Sequence, residues 1–109
     1  MAEGLSRGDV WSCEFKSPDK RRPVVVLSRE GAIAVLDTVL VAPVTSKVRG
    51  LPTEVRVGVD EGLKNESAVN LDHVQTVRKD RLRRYLGRLG ADRMRSVCRA
   101  LSIATGCDT

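Results

Sequence analysis

Three polar stretches carry the side chains best suited to chemistry. "KRRP" (20–23) sets Lys20, Arg21 and Arg22 immediately before a proline and the apolar run Val24 to Leu27, and "VTSKVRG" (44–50) places Thr45, Ser46, Lys47 and Arg49 just after another apolar run. The third, "NLDHVQT", holds Asn70, His73 and Gln75. A guanidinium donates two parallel hydrogen bonds to a phosphate or carboxylate and keeps its charge at any working pH, while a threonine hydroxyl adds one more donor. If the runs that follow Arg22 and precede Thr45 pair as antiparallel strands, the start of one lies beside the end of the other, and Arg22 and Thr45 become neighbours. Taken singly, Arg22 reads first as a structural ion pair or an edge charge. Thr45 likewise reads as a strand-terminal residue bonding its own backbone.

Other catalytic sets are missing. There is no glycine-rich phosphate loop, no histidine-rich metal cluster and no nucleophile elbow. His73 is the single histidine. Imidazole titrates in the range proton transfer needs, but nothing near it in sequence recommends the position, and it reads as a surface or structural residue. Cys13, Cys98 and Cys107 are odd in number and widely spaced. That pattern fits neither a zinc site nor a disulfide framework and points to incidental thiols in a reducing compartment, the cytoplasm.

The net charge of +5 and a pI near 9.6 favour a polyanionic partner. Between His73 and Arg99 nine lysines and arginines face only Asp80 and Asp92, so the excess is concentrated in the C-terminal third. With 109 residues the chain is expected to form one domain, 1–109. The short polar segment Met1 to Arg7 lacks the apolar stretch of a signal peptide, and no later run is long enough to cross a bilayer.

Short β-type runs position these groups. Asp9 to Phe15 alternates roughly and breaks at "KSPDKR". Val24 to Leu27 is apolar throughout, as in a strand buried on both faces, and Val35 to Val44 reads as a further strand interrupted at Asp37 and Thr38 and ended near Pro43. "TEVRVGV" puts Val55, Val57 and Val59 on one face and Glu54 and Arg56 on the other. "SAVNL", "QTVRK" and "RRYLGRL" follow as shorter strands. Then the period changes: Met94, Val97, Cys98, Leu101 and Ala104 fall at helical spacing and Gly106 supplies a stop. With one Trp, one Tyr and one Phe, all expected in the core, packing falls to Val, Leu and Ala. The strands lack helical crossovers, which predicts a mainly β protein, a small coiled sheet or barrel with a C-terminal α-helix. A long exposed strand on so small a barrel is often covered by dimerisation.

"RGDVWSCEF", "RRPVVVLS", "VLVAPVTSKVRGLPTEV", "NESAVNLDHVQTVRKDRL" and "GRLGADRMRSVCRAL", in that order from Arg7 to Leu101, resemble the MazF/PemK (Kid) family of toxin endoribonucleases. The resemblance implies an SH3-like barrel of the CcdB/PemK toxin type in a homodimer. It also implies cleavage of single-stranded RNA at a short sequence with no metal or other cofactor, and a MazE-like antitoxin whose acidic, flexible tail covers the site. The family's arginine before proline falls on Arg22 and its strand-end threonine on Thr45, the two catalytic positions carried over. Ser46 continues the "TS" motif and Gln75 matches a glutamine of the family. Many relatives have a longer loop before the arginine than "KSPDKR", so the role of Asp19 there stays open. Lys20, Arg21, Lys47 and Arg49 are expected on phosphates, with Ser46, Asn70 and Gln75 on base edges. Asp19 and His73 are the candidates for a general base. The rival readings are a CcdB-like gyrase-binding toxin, whose Trp-Gly-Ile ending is replaced here by "TGCDT", and a basic RNA-binding barrel that does not turn over.

Overall fold

The computed structural model describes residues 4–15 and 20–107. Strand β1 (Asp9–Glu14) pairs antiparallel with β2 (Arg21–Val26), setting Val10 against Val25 and Cys13 against Arg22. A one-and-a-half-turn helix, α1 (Glu30–Val35), leads into β3 (Thr38–Thr45), which returns beside β2 with Val24 opposite Pro43 and Val26 opposite Val41. Four short strands follow: β4 (Glu54–Val57), β5 (Ser67–Asn70), β6 (Gln75–Arg78) and β7 (Leu82–Arg88). The described strands form one antiparallel sheet in the order β4-β5-β3-β2-β1-β7, with β6 on the first half of β3. The chain ends in helix α2 (Ala91–Thr105), stopped at Gly106, whose φ of 73° suits a residue without a side chain.

The valine run of β2 is apolar at every position because it serves two cores. Side chains alternate across a strand. Val25 therefore joins Val10, Val44, Val69 and the α2 residue Val97 on one face, while Val24 and Val26 join Trp11, Val41, Leu82 and the α1 residue Ile33 on the other. Helix α2 lids the first core and α1 the second.

Two glycines bring the ends of the sheet together. Gly62, in the turn after β4 and at φ 91°, lies so close to β7 that a Cβ on it would stand 2.0 Å from the Leu86 carbonyl oxygen. A Cβ on Gly87 would stand 2.4 Å from the Glu61 carbonyl oxygen. Backbone approach at that distance excludes any side chain, and it curls the outer strands toward each other as a barrel requires.

Four details depart from the expectations set by the sequence. Val35 is not in a strand: it ends α1 and is exposed, and β3 begins only at Thr38. The strand then runs through Pro43 to Thr45. Pro43 sits where β3 changes partner on one edge, between its last pair with β6 (Val41 with Gln75) and its first with β5 (Val44 with Val69), so no ladder donor is required of it there. Val59 leaves the alternation of Val55 and Val57 because Gly58 turns the chain into a 3-10 turn, Val59–Glu61, leaving Val59 exposed. Tyr85 is exposed rather than core, edge-on to buried Trp11 with ring centroids 5.8 Å apart.

Candidate functional site

The β2–β3 register, continued two residues past the Val24–Pro43 pair, sets Arg22 against Thr45. Both side chains line one cavity of about 600 Å³, a volume ordinary for a small-ligand cleft. Ser46 and Lys47 from the loop after β3 line it too. Arg22 also borders a second cavity of about 380 Å³, formed with Phe15, Lys20, Pro43, His73 and Gln75. The guanidinium is thus the ridge between two concavities. Arg22 is exposed, Thr45 half-buried, and no described residue forms an ion pair with Arg22. A cation that no described carboxylate holds can take a phosphate without first releasing one of them.

The Thr45 hydroxyl oxygen accepts from the Lys47 backbone N–H at 3.1 Å, the local turn that a strand-terminal threonine is expected to make. Its own proton stays available to donate. The loop beyond is shaped by Glu54 of β4, whose Oε1 accepts from the backbone N–H groups of Arg49 (3.0 Å), Gly50 (2.8 Å) and Leu51 (3.2 Å). The sequence shows Glu54 only as an outward charge; here it fixes the loop that carries Ser46 and Lys47.

The other expected residues divide. Lys20 and Gln75 line the smaller cavity. Asn70 borders neither but reaches its wall, with Nδ2 3.4 Å from His73 Nδ1. Arg49 is exposed and lies outside both cavities. Arg21 alternates to the opposite side of β2, where Glu14 holds it at 3.5 Å together with Arg81 (3.7 Å) and Arg83 (3.9 Å). Asp19 lies outside the described residues. The larger cavity adds groups with no local sequence signal: Lys64 and Asn65 from the β4–β5 connection with Ser67 at the start of β5, and Arg84 from β7. Fold closure at Gly62 and Gly87 brings these two segments to Arg22. Neither cavity has a carboxylate among its described lining residues.

Cys13 lies beneath this surface, fully buried, and burial pushes its thiol up to about 11, which keeps it protonated and poorly nucleophilic at neutral pH. Among the described residues no three His, Cys, Asp or Glu side chains stand together as metal ligands, and no helix is long and apolar enough to cross a membrane.

A coiled antiparallel sheet capped by two helices, with an arginine that no described residue pairs and a hydroxyl at the meeting point of two cationic clefts, defines a small β protein with a surface suited to a polyanion. The chain belongs to the family of PemK-like, MazF-like toxins of type II toxin-antitoxin systems, whose pattern matches residues 6–105. It is 49% identical over 104 residues to the probable endoribonuclease MazF5 of Mycobacterium tuberculosis, covering 94% of both chains. In structure it is similar to the Mycobacterium tuberculosis toxin MazF-mt6 (TM-score 0.85, 37% identity, 93% of this chain and 99% of that one). It is also similar to a mycobacterial endoribonuclease solved in complex with its cognate antitoxin (TM-score 0.87, 27% identity, 97% of this chain and 99% of that one).

Proposed function

We propose that this protein is a sequence-specific endoribonuclease toxin that cuts single-stranded RNA without a metal. In this reading the ribose 2'-OH attacks the adjacent phosphorus, the P–O5' bond breaks, and the products carry a 2',3'-cyclic phosphate and a 5'-OH. The observation that carries it is the convergence of Arg22 and Thr45 on one cleft, in a chain whose curated relatives are named endoribonucleases. Arg22 donates to the non-bridging oxygens as charge builds there, and Thr45 donates to the same phosphate. Removing one preorganised donor of this kind typically costs about 3 to 4 kcal/mol of transition-state stabilisation.

Lys20, Lys47, Lys64 and Arg84, distributed over both clefts, hold the flanking phosphates; Ser46, Asn65 and Gln75 read unstacked base edges, which only a single strand presents. Phe15, half-buried in the wall of the smaller cleft, offers one base a stacking face. The cellular counterpart is a cognate antitoxin whose acidic flexible segment covers the same cations, as charge complementarity favours. A homodimer acting in the cytoplasm completes the proposal.

The test is cleavage of a labelled single-stranded RNA in excess EDTA. Wild type is expected to cut and leave a cyclic-phosphate end, whereas Arg22→Ala, and wild type offered deoxyribose at the cut position, should not. Binding without cleavage would return the chain to a plain RNA-binding barrel. Inhibition of gyrase supercoiling would favour the other toxin class.

A further inference from the structure

Two protons must move in this reaction: one leaves the 2'-OH and one reaches the 5'-oxygen. The cations of the two clefts answer half of that need. Protonated lysines and arginines donate, but none of them accepts a proton near neutral pH. The clefts contain no carboxylate among their described lining residues, which leaves one described lining side chain suited to accept a proton.

His73 is that side chain. The 3-10 turn Leu71–His73 carries it round the end of β5 into the wall of the smaller cleft, which it shares with Arg22 and Gln75. Its orientation is held by Asn70. Asn70 Oδ1 accepts from the Asp72 backbone N–H at 2.9 Å, which turns its Nδ2 toward the ring, 3.4 Å from His73 Nδ1. A donor facing Nδ1 implies a lone pair on that nitrogen, and therefore the neutral ring that a base requires; this tautomer is assigned from the network. The long contact is weak enough for a ribose hydroxyl to displace. The neighbouring Asp72 is engaged elsewhere, its Oδ2 accepting from the Thr53 hydroxyl at 2.6 Å. Among the described residues, the charged groups around His73 are Lys20 and Arg22 from the β2 side and Asp72 from its own turn; Pro43 of β3, Phe15 after β1 and Gln75 of β6 bring none.

Resting on the nuclease reading above, we infer that His73 is the general base: its Nδ1 takes the 2'-OH proton as the oxygen's electron pair attacks phosphorus. The P–O5' pair leaves on the 5'-oxygen, which takes a proton from water. The imidazolium then returns its proton to the hydroxide so formed, and nothing is consumed. Asn70 is a positioning residue: it holds the ring in the free protein and yields Nδ1 to the 2'-OH when RNA binds.

The experiment is a single-turnover pH–rate profile in EDTA for wild type, His73→Gln, Asp19→Asn and Asn70→Asp, on an RNA and on the same RNA with sulfur in place of the bridging 5'-oxygen. His73 is exposed, so His73→Gln is expected to keep the wild-type melting curve. Wild-type rate should climb tenfold per pH unit along an acid limb and then level off. His73→Gln should lose about 10²- to 10³-fold on the plateau and lose the slope. Asn70→Asp favours the imidazolium and should move the acid limb to higher pH. The His73→Gln deficit should persist on the sulfur substrate, whose thiolate leaves without a proton. Disappearance of the deficit there would make His73 an acid and overturn the assignment; so would a wild-type profile in His73→Gln, or a lost slope in Asp19→Asn alone. If wild type cuts no RNA, the nuclease reading itself falls and this inference with it.

Discussion

Arg21 and Arg22 are neighbours in sequence and opposites in environment. Strand alternation sends Arg21 to a cluster in which one carboxylate, Glu14, stands within 3.5 to 3.9 Å of three guanidiniums. It sends Arg22 to a ridge between two clefts where no described residue neutralises it. The first arrangement is a structural solution: Glu14 is only one-fifth exposed and ties β1 to β2 and to the turn before β7. The second leaves a charge waiting for a ligand. Local sequence cannot separate the two, because "KRRP" offers identical side chains one peptide apart; the pleat of the strand decides.

The largest effect expected from that difference is in cleavage rate. Arg22→Ala should lower the single-turnover rate about 10²- to 10³-fold, whereas Arg21→Ala should stay within about threefold at saturating RNA. Thr45→Val removes one donor to a charged group and should cost about 10- to 100-fold. Equal losses at positions 21 and 22 would break the contrast and make the two arginines one binding surface.

The neighbourhood of Arg22 and Thr45 is legible in the sequence because both sit at the ends of apolar runs, and antiparallel pairing of adjacent runs is the commonest geometry for short strands. The places of His73, Lys64, Asn65 and Arg84 are not. Each reaches the clefts through features without a local signal: a single 3-10 turn for His73, and the glycine-on-backbone contacts at Gly62 and Gly87 for the rest. Helix α1 escapes pattern reading for a related reason. "EGAIAV" is six residues long and half β-branched or glycine, so its conformation follows from Ile33 closing the second core rather than from propensity. Pro43 misleads in the other direction, since a proline ends a strand only where its missing N–H is needed.

A middle-sized effect concerns binding. Glu14→Gln leaves three guanidiniums without their shared counter-charge. RNA should then bind more tightly at low salt, and the slope of log affinity against log salt should steepen by about 0.7 for each extra phosphate engaged. The cleavage rate at saturation should stay within about twofold. If Glu14→Gln accelerates cutting at saturation, the cluster reaches the scissile phosphate and the division between the two sides of β2 is wrong.

The smallest effect is in stability at alkaline pH, and it reads the boundary between the two regions. Cys13 faces Arg22 in the β1–β2 ladder and Leu82 in the β1–β7 ladder. Its thiol is raised from 9.0 to about 11, chiefly by burial, with Arg81 pulling the other way and Glu14 adding to the rise. The unfolded chain therefore loses this proton first. Native stability from the buried thiol is whole below pH 9 and declines as pH climbs toward 11. Urea midpoints measured from pH 8 to 11 should fall more steeply for wild type than for Cys13→Ala, which loses packing at every pH but has no thiol to titrate. Glu14→Gln should leave the onset in place but make the decline smaller and end it at a lower pH, because the negative charge that disfavours the thiolate in the folded protein is gone while Arg81 remains. A decline of unchanged extent would mean that the Glu14 charge does not act on the thiol, and that the field of the Glu14 cluster does not reach across the strand toward Arg22.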